Sequence, residues 1–381
     1  VSASSVATTF TGMGAYGDGS GWSGKVWSER VGLGNGTATF NATAYTRARI
    51  VVITQQSTEG RDQAGNPKAG ASPFFNPNPC YDVFGTPAAS QIFSQGIIGV
   101  GYPTLAVANT DSWIFKLFDS QPNLPKQFSI QMCEGSGTMW VGGSDASKYI
   151  GQPKYTAITE KKYYSVAPSD ILINGRSLNF TDYTWRGPNI IDSGTTLWEL
   201  PGPVYDAVVD YLINNGEFKK YFRSNSFTDN FFTNSSGFCE MAMSNPIAGS
   251  WQHLQEVLPT ISLVLKDGLT LTMDGVGSYL LPCNSGYDQW TPGIGRSSSS
   301  MIGGWPLMNQ FVTVHDIGAS MIGFAVQTSC GDKIPIRANV TFGPPTDGGD
   351  GDGNGEIANN TPIRHILIGL MALLTAIIAR L

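Results

Sequence analysis

A carboxylate set among hydroxyl side chains is the feature of the sequence best suited to catalysis. Residues 189–201 read NIIDSGTTLWELP, so Asp192 follows two isoleucines and precedes the run Ser193–Thr196. This order predicts an acid at the end of a buried strand, where it enters a tight turn that glycine favours. We expect the hydroxyls of Ser193 and Thr195 to orient the carboxylate. A bare Asp-Ser-Gly triplet would indicate an ordinary turn, but the full string followed by a helix is more specific.

The elements that must position this carboxylate are mostly strands. One helix is predicted at Pro203–Ile213, because Val204, Val208 and Leu212 fall on one of its faces. Short runs rich in β-branched or aromatic residues predict strands elsewhere. The clearest of these runs are Thr37–Tyr45, Ala48–Thr54, Gln127–Met132, Met139–Val141 and Ser262–Leu265. The predicted fold class is therefore all-β with a few short helices.

Composition excludes several classes of function. The 381 residues are 41% hydrophobic, which allows a sizeable core, and the 46 glycines show no collagen repeat. A net charge of −6 without a basic cluster argues against a nucleic-acid partner. Three histidines, His253, His315 and His365, are too few and too scattered for a metal cage. None of them lies in a motif that would activate a serine or cysteine nucleophile, and we expect neither a metal nor another cofactor.

Cysteines and glycosylation sequons favour the secretory pathway. No C-x-x-C pair is present, which disfavours zinc. The five cysteines are Cys80, Cys133, Cys239, Cys283 and Cys330. Six N-x-S/T sequons lie at Asn35, Asn41, Asn179, Asn234, Asn339 and Asn359. Sequons also occur by chance, and an intracellular protein with five reduced cysteines is the alternative.

The C-terminal residues predict attachment to a membrane. Residues 336–364 include the run GPPTDGGDGDGNG, which is typical of a flexible linker, and residues 365–381 form an apolar tail. The uninterrupted apolar part is shorter than the roughly 20 residues that a spanning helix needs. Small residues, a polar spacer and a short apolar end fit a GPI-anchor signal, with Gly353 or Asn354 as the attachment site. A short tail anchor and a buried helix are the alternatives.

Further motifs make residues 1–330 similar to the pepsin-like aspartic proteases. The string at Asp192 matches the second active-site motif of that family. Tyr16-Gly17-Asp18-Gly19-Ser20 resembles its flap hairpin, and Gly96–Pro103 and Met301–Gly303 resemble the hydrophobic-hydrophobic-Gly segments of its two lobes. The second-lobe segment at Met301–Gly303 continues into two later runs, Val312–Asp316 and Ile322–Ala325.

The resemblance is strongest to the membrane-anchored β-secretase group. It is carried by the stretches Ser129–Cys133 and Gly323–Cys330. It implies a disulfide between Cys133 and Cys330 and another between Cys239 and Cys283. Cys80 is then left over.

The family resemblance implies a bilobal fold and assigns roles to particular residues. The lobes would comprise residues 1–155, with the flap, and 156–335. Asp192 is the implied catalytic acid, and the substrate would be a polypeptide bound by a monomer. Ser193, Gly194, Thr195 and Thr196 would support the acid, and Tyr16, Gly17 and Asp18 would form the substrate-binding flap.

The first carboxylate that the family needs is missing from the sequence. Asp192 precedes Gly303 by 111 residues, and the same count back from Gly99 leads to a position ahead of Val1. Residues 1–15 contain no Asp or Glu. We therefore expect an N-terminally truncated, inactive chain with an incomplete first lobe. A second departure is Gly304, where the family often has Asp.

Three functions fit these observations. The first is an aspartic endopeptidase that activates water with two carboxylates sharing one proton. The second is a non-catalytic pepsin-like protein that binds or inhibits at the cell surface. The third is a glycosylated surface protein with a structural role. The flap tyrosine and the Asp-Ser-Gly-Thr-Thr string favour the first.

Overall fold

The computed structural model consists largely of β-strands. It describes residues 5–15, 20–32, 45–57, 97–134, 136–216, 231–232, 240–241, 250–283, 289–328 and 334–343. These residues form two compact units, one ending at Pro125 and the other beginning at Lys126. The flap residues Tyr16, Gly17 and Asp18, the linker beyond Gly343 and the apolar tail lie outside the described residues. No helix in the described part of the chain has the length and apolarity needed to cross a membrane.

The described residues of the first unit form a three-stranded antiparallel sheet and one α-helix. Its strands are β1 (Val6–Ala15), β2 (Gly21–Gly32) and β3 (Tyr45–Ser57), in the order β1-β2-β3. Strand β3 contains the predicted strand Ala48–Thr54, whereas the predicted strand Thr37–Tyr45 lies almost wholly outside the described residues. The 3-10 helix Pro103–Leu105 and helix α1 (Trp113–Ser120) follow.

Helix α1 is held on strand β3 by apolar packing and by an ion pair. Its buried face includes Ile114 and Leu117, both fully buried. Arg49 of β3 contacts Asp111, just ahead of the helix, through Nη2 and Oδ1 at 3.1 Å. The Arg49 backbone N–H also donates to the same carboxylate, at 2.8 Å. Burial alone would raise the pKa of Asp111, but the hydrogen bonds and charge of Arg49 hold it below its ordinary value.

The second unit contains four sheets. Their strand orders are β5-β4-β18-β19-β6, β20-β13-β12-β7-β8, β16-β10-β17-β9 and β11-β15-β14. The bounds of the strands are β4 (Gln127–Cys133), β5 (Ser136–Val141), β6 (Tyr149–Ala157), β7 (Pro168–Ile173), β8 (Arg176–Ser177), β9 (Ile190–Ile191), β10 (Trp198–Pro201), β11 (Glu240–Met241), β12 (Ile261–Leu265), β13 (Leu269–Met273), β14 (Leu280–Pro282), β15 (Gln289–Pro292), β16 (Ile294–Ser297), β17 (Ile302–Gly303), β18 (Phe311–Asp316), β19 (Met321–Gln327) and β20 (Ala338–Phe342). The predicted strands at 127–132, 139–141 and 262–265 are thus confirmed.

The helices in the described part of the second unit are short. They are α2 (Gly202–Asn214), α3 (Trp251–Val257), α4 (Trp305–Met308) and the 3-10 helices Ala146–Lys148 and Asp182–Trp185. Helix α2 confirms the helix predicted at Pro203–Ile213, with one more residue at each end. Val204, Val208 and Leu212 are fully buried, as their spacing on one face predicts.

Strands β4 and β6 belong to the second unit, although the expected boundary of the first lobe lies after residue 155. Strand β4 pairs antiparallel with β18, and β6 pairs antiparallel with β19. These pairings join residues 127–157 to residues 311–327, far along the chain. The compact units therefore divide at residue 125, and the lobe boundary at 155 stays a prediction.

Candidate active site

Asp192 lies at the end of strand β9, in the four-stranded sheet β16-β10-β17-β9. Ile191 before it is only 3% exposed, and Asp192 itself is half-buried. The Asp192 backbone N–H donates to the carbonyl oxygen of Gly303 at 3.0 Å, which continues the parallel pairing of β9 with β17. The predicted position of this acid, at the end of a buried strand, is therefore the one found.

The turn after Asp192 supplies one donor to each carboxylate oxygen. The Gly194 backbone N–H donates to Oδ1 at 3.0 Å, and the Thr195 hydroxyl donates to Oδ2 at 2.7 Å. The Thr195 backbone N–H donates to the Asp192 carbonyl oxygen at 3.2 Å and closes the turn. Two fixed donors limit the orientations that the carboxylate can adopt.

The donors to the Asp192 carboxylate differ from the expected ones at positions 193 and 194. A Cβ at Gly194 would lie 3.3 Å from Asp192 Oδ1, closer than most side chains tolerate. In the described structure no hydrogen bond joins the Ser193 hydroxyl to Asp192, and its orienting role stays a prediction. The backbone of Gly194 makes that contact instead, because the tight turn brings its N–H over the carboxylate.

The segment after Gly303 packs directly on the turn. The Trp305 backbone N–H, in the first residue of α4, donates to the Thr195 carbonyl oxygen at 2.8 Å. A Cβ at Gly304 would meet the Leu197 and Thr195 carbonyl oxygens at 2.3 and 2.4 Å. This close approach of backbone to backbone leaves no room for a side chain, which explains why glycine occupies position 304 here.

The sheet that carries Asp192 has one buried face and one half-buried face. Ile191 and Trp198 lie on the buried face, at 3% and 0% exposure. On the other face Ile190, Glu199 and Ile302 are half-buried. Burial raises the pKa of Glu199 above its ordinary value.

Sequence reasoning missed Glu199 as a candidate functional residue. The alternation of apolar and polar residues in Trp-Glu-Leu would have placed it on a different face from Trp198 and Leu200, which are both fully buried. Only the pairing of β10 with β17, and of β17 with β9, reveals that Glu199 lies on the same face of the sheet as Asp192.

Five of the candidate residues, Asp192 to Thr196, are described, and they lie in one turn. Thr196 makes none of the hydrogen bonds to the Asp192 carboxylate. The flap residues are outside the described part. So are Cys80, Cys239 and Cys330, and the pairing expected for Cys133 and Cys283 stays a prediction. No group of three His, Cys, Asp or Glu side chains in the described residues is arranged to hold a metal ion.

A separate cavity of about 560 Å³ lies in the second unit, on the N-terminal side of β9. Tyr163, Trp185 and Asn189 are among the residues that line it, and Asp192 is not. In the described part of the second unit no hydrogen bond joins Asp192 to another carboxylate, so this turn by itself supplies one proton-transfer group.

Comparisons with known proteins identify the family that the chain resembles. A family model described as eukaryotic aspartyl protease matches residues 84–327. An aspartic protease of Phaffia rhodozyma is 25% identical over 233 residues, which cover 61% of this chain and 51% of that protein. Pepsin B of Canis lupus familiaris is 25% identical over 242 residues, covering 62% and 55%. A β-secretase of Strongylocentrotus purpuratus is 32% identical over 143 residues, covering 31% and 26%. The chain spans about half or less of the length of these relatives.

Proposed function

The chain belongs to the eukaryotic aspartyl protease family, and on that basis we propose that it is part of an endopeptidase that hydrolyses polypeptides with Asp192 as one of two catalytic acids. The observation that carries the proposal is the turn at Asp192, in which each carboxylate oxygen receives a fixed donor. The mostly β-stranded architecture with a few short helices is the pepsin-like fold of that family.

The proposed mechanism needs a second carboxylate close to Asp192. Two like charges a few ångströms apart resist ionising together, so the pair retains one proton. The ionised carboxylate takes a proton from a water molecule, which attacks the peptide carbonyl carbon. The protonated carboxylate donates its proton to the carbonyl oxygen. Asp192 supplies one of these two groups, and the Gly194 N–H and Thr195 hydroxyl keep it oriented.

The partner carboxylate is proposed to lie outside the 381 residues. No Asp or Glu precedes Tyr16 in the sequence, and a carboxylate at the position equivalent to Asp192 would fall ahead of Val1. On this proposal the chain alone does not hydrolyse peptides. The coding sequence upstream tests it directly, because an Asp-Thr-Gly or Asp-Ser-Gly motif there would supply the partner.

A non-catalytic pepsin-like protein that binds or inhibits at the cell surface is the second candidate. It would account for a protein that keeps Asp192 without a partner carboxylate. An upstream coding sequence without a second Asp motif would support this candidate over the peptidase.

We further propose that the protein enters the secretory pathway and is attached to a membrane. The six sequons, the linker and the apolar tail support this location. The match over 143 residues to a β-secretase supports a relationship to that group.

The proposed function is tested by Asp192→Asn in the full-length protein, including any upstream segment. We expect hydrolysis of an acid-denatured protein substrate to fall by at least about 10³-fold, because one of two obligatory proton-transfer groups is lost. Asp210→Asn, on the exposed side of α2, is the matched control and should keep full activity. Unchanged turnover in the Asp192 variant, with an unchanged melting temperature, would overturn the assignment.

A further inference from the structure

One row of residues crosses the sheet of Asp192 on its half-buried face. Ile190 pairs with Ile302, Ile302 pairs with Glu199, and Glu199 pairs with Gly295. Residues directly opposite each other in a sheet lie on the same face. Asp192 lies two residues after Ile190 on a backbone that stays paired with β17, so it lies on this face as well.

Glu199 is too far from Asp192 to share its proton. Two strand spacings of about 4.8 Å and two residues of about 3.3 Å put their Cα atoms about 12 Å apart. The Glu199 carboxylate also extends away from Asp192. A Cβ at Gly295 would lie 2.5 Å from Glu199 Oε1 and 2.8 Å from Oε2, so the carboxylate rests on strand β16. Glu199 is therefore a neighbour of the candidate site and not the missing second acid.

The Glu199 carboxylate is partly buried without a cation beside it. In the described part of the chain no hydrogen bond or ion pair reaches it, and burial is the sole cause of its raised pKa. Tyr205 of α2 interacts electrostatically with Glu199, and Asp206 of α2 and Arg296 of β16 act on the same tyrosine. Arg296 is already engaged by Asp206 through two contacts of 3.0 Å. A half-buried carboxylate left unpaired costs free energy that an incoming cation would recover.

We propose that Glu199 is a specificity-determining residue that recognises a lysine or arginine side chain of the polypeptide substrate, within about four residues of the bond that is cut. The proposal rests on the proposed peptidase function. On this proposal, an extended substrate backbone that reaches Asp192 passes over the half-buried face, on which Glu199 is the one carboxylate in the row. The glycine at 295 leaves space for the Glu199 carboxylate.

The preference for a cation should depend on pH. Glu199 attracts a cation only when it is ionised, and its raised pKa means that it ionises at a higher pH than an ordinary glutamate. The preference should therefore increase as the pH rises through the pKa of Glu199. Asp206 and Arg296 neutralise each other, and Tyr205 titrates far above this range, with a pKa of about 12. None of these three groups would produce the same profile.

The test uses the full-length protein and a set of internally quenched peptides built on one cleaved sequence. Each of the four residues on either side of the cut is replaced in turn by Lys, Gln and Glu. We expect one position at which Lys is preferred to Glu by about tenfold in kcat/KM. Glu199→Gln should abolish that preference and its pH dependence, and Glu199→Lys should reverse it. Glu256→Gln, on the exposed side of α3, is the matched control and should change neither.

The outcomes separate the inference from the function on which it rests. Cleavage with the same Lys preference in wild type and Glu199→Gln would overturn the role of Glu199 and leave the peptidase intact. If no peptide is cleaved, the proposed function fails, and binding of the Lys and Glu peptides by calorimetry then decides the inference. Equal binding of the two peptides, or equal binding by wild type and Glu199→Gln, would overturn it.

Discussion

Thr195 and Asp192 are joined by two hydrogen bonds, one from the Thr195 hydroxyl to Oδ2 at 2.7 Å and one from its backbone N–H to the Asp192 carbonyl oxygen at 3.2 Å. The same residue thus closes the turn and orients the carboxylate. Its carbonyl oxygen also accepts the N–H of Trp305, which ties the turn to α4. The position of the acid is determined by backbone contacts, and its orientation is determined by one hydroxyl and one N–H.

We predict that Thr195→Val lowers activity on peptides by roughly 10- to 100-fold, because one carboxylate oxygen loses its donor while the backbone bonds remain. Thr195→Ser keeps the hydroxyl and should restore most of the activity. The measurement is kcat/KM in the full-length protein, with the melting temperature followed for each variant. Equal rates for the valine and serine variants would show that the hydroxyl has no part in orienting Asp192.

His315 is a buried, neutral side chain in the core of the second unit. Its ring stacks on Phe128 with centroids 4.4 Å apart and meets Tyr164 edge-on at 4.5 Å. Its Nδ1 has no hydrogen-bond partner in the described structure. Burial lowers the pKa of His315 from 6.5 to about 3, because the imidazolium would lose its hydration among aromatic rings.

This buried histidine should make the protein less stable in acid. The unfolded chain binds a proton near pH 6.5, whereas the folded chain binds it only near pH 3, so stability falls as the pH decreases across that range. His315→Leu should remove roughly 2–5 kcal/mol of this loss. Urea unfolding of both proteins at pH 7 and pH 4 measures the difference. An unchanged pH dependence in His315→Leu would contradict the prediction.

Asp274 should produce the opposite pH dependence. Burial raises the pKa of this carboxyl from 3.8 to about 6, against the opposing charge of Arg337, and its Oδ2 has no partner in the described residues. The folded chain therefore binds the proton more tightly than the unfolded chain. This contribution to stability is full below pH 3.8 and is lost as the pH rises through 6.

We predict that Asp274→Asn raises the free energy of unfolding at pH 7 by about 1 kcal/mol, a figure reduced for the solvent that still reaches this half-buried group. At pH 3.5 the two proteins should unfold at nearly the same urea concentration. Asp267→Asn, in the exposed turn between β12 and β13, is the matched control and should have no such effect. A variant that is less stable than wild type at pH 7 would show that the ionised carboxylate has a stabilising partner.

Local features of this protein could be read from the sequence because they depend on neighbouring residues. The turn at Asp192 follows from a β-branched strand, a glycine and two threonines within seven positions, and helix α2 follows from the spacing of its apolar residues. The strands at 127–133 and 261–265 follow from their β-branched and aromatic residues. Each of these features requires no knowledge of the rest of the chain.

The environment of the acid was decided by pairings between residues that lie far apart along the chain. Ile190, Ile302, Glu199 and Gly295 form one row only because β9, β17, β10 and β16 meet in one sheet. Tertiary contact also determined that no side chain fits at Gly304, because the carbonyl oxygens of Thr195 and Leu197 lie against it. The order of strands in a sheet depends on which apolar faces can be buried together, and that choice is made by the whole fold rather than by any segment.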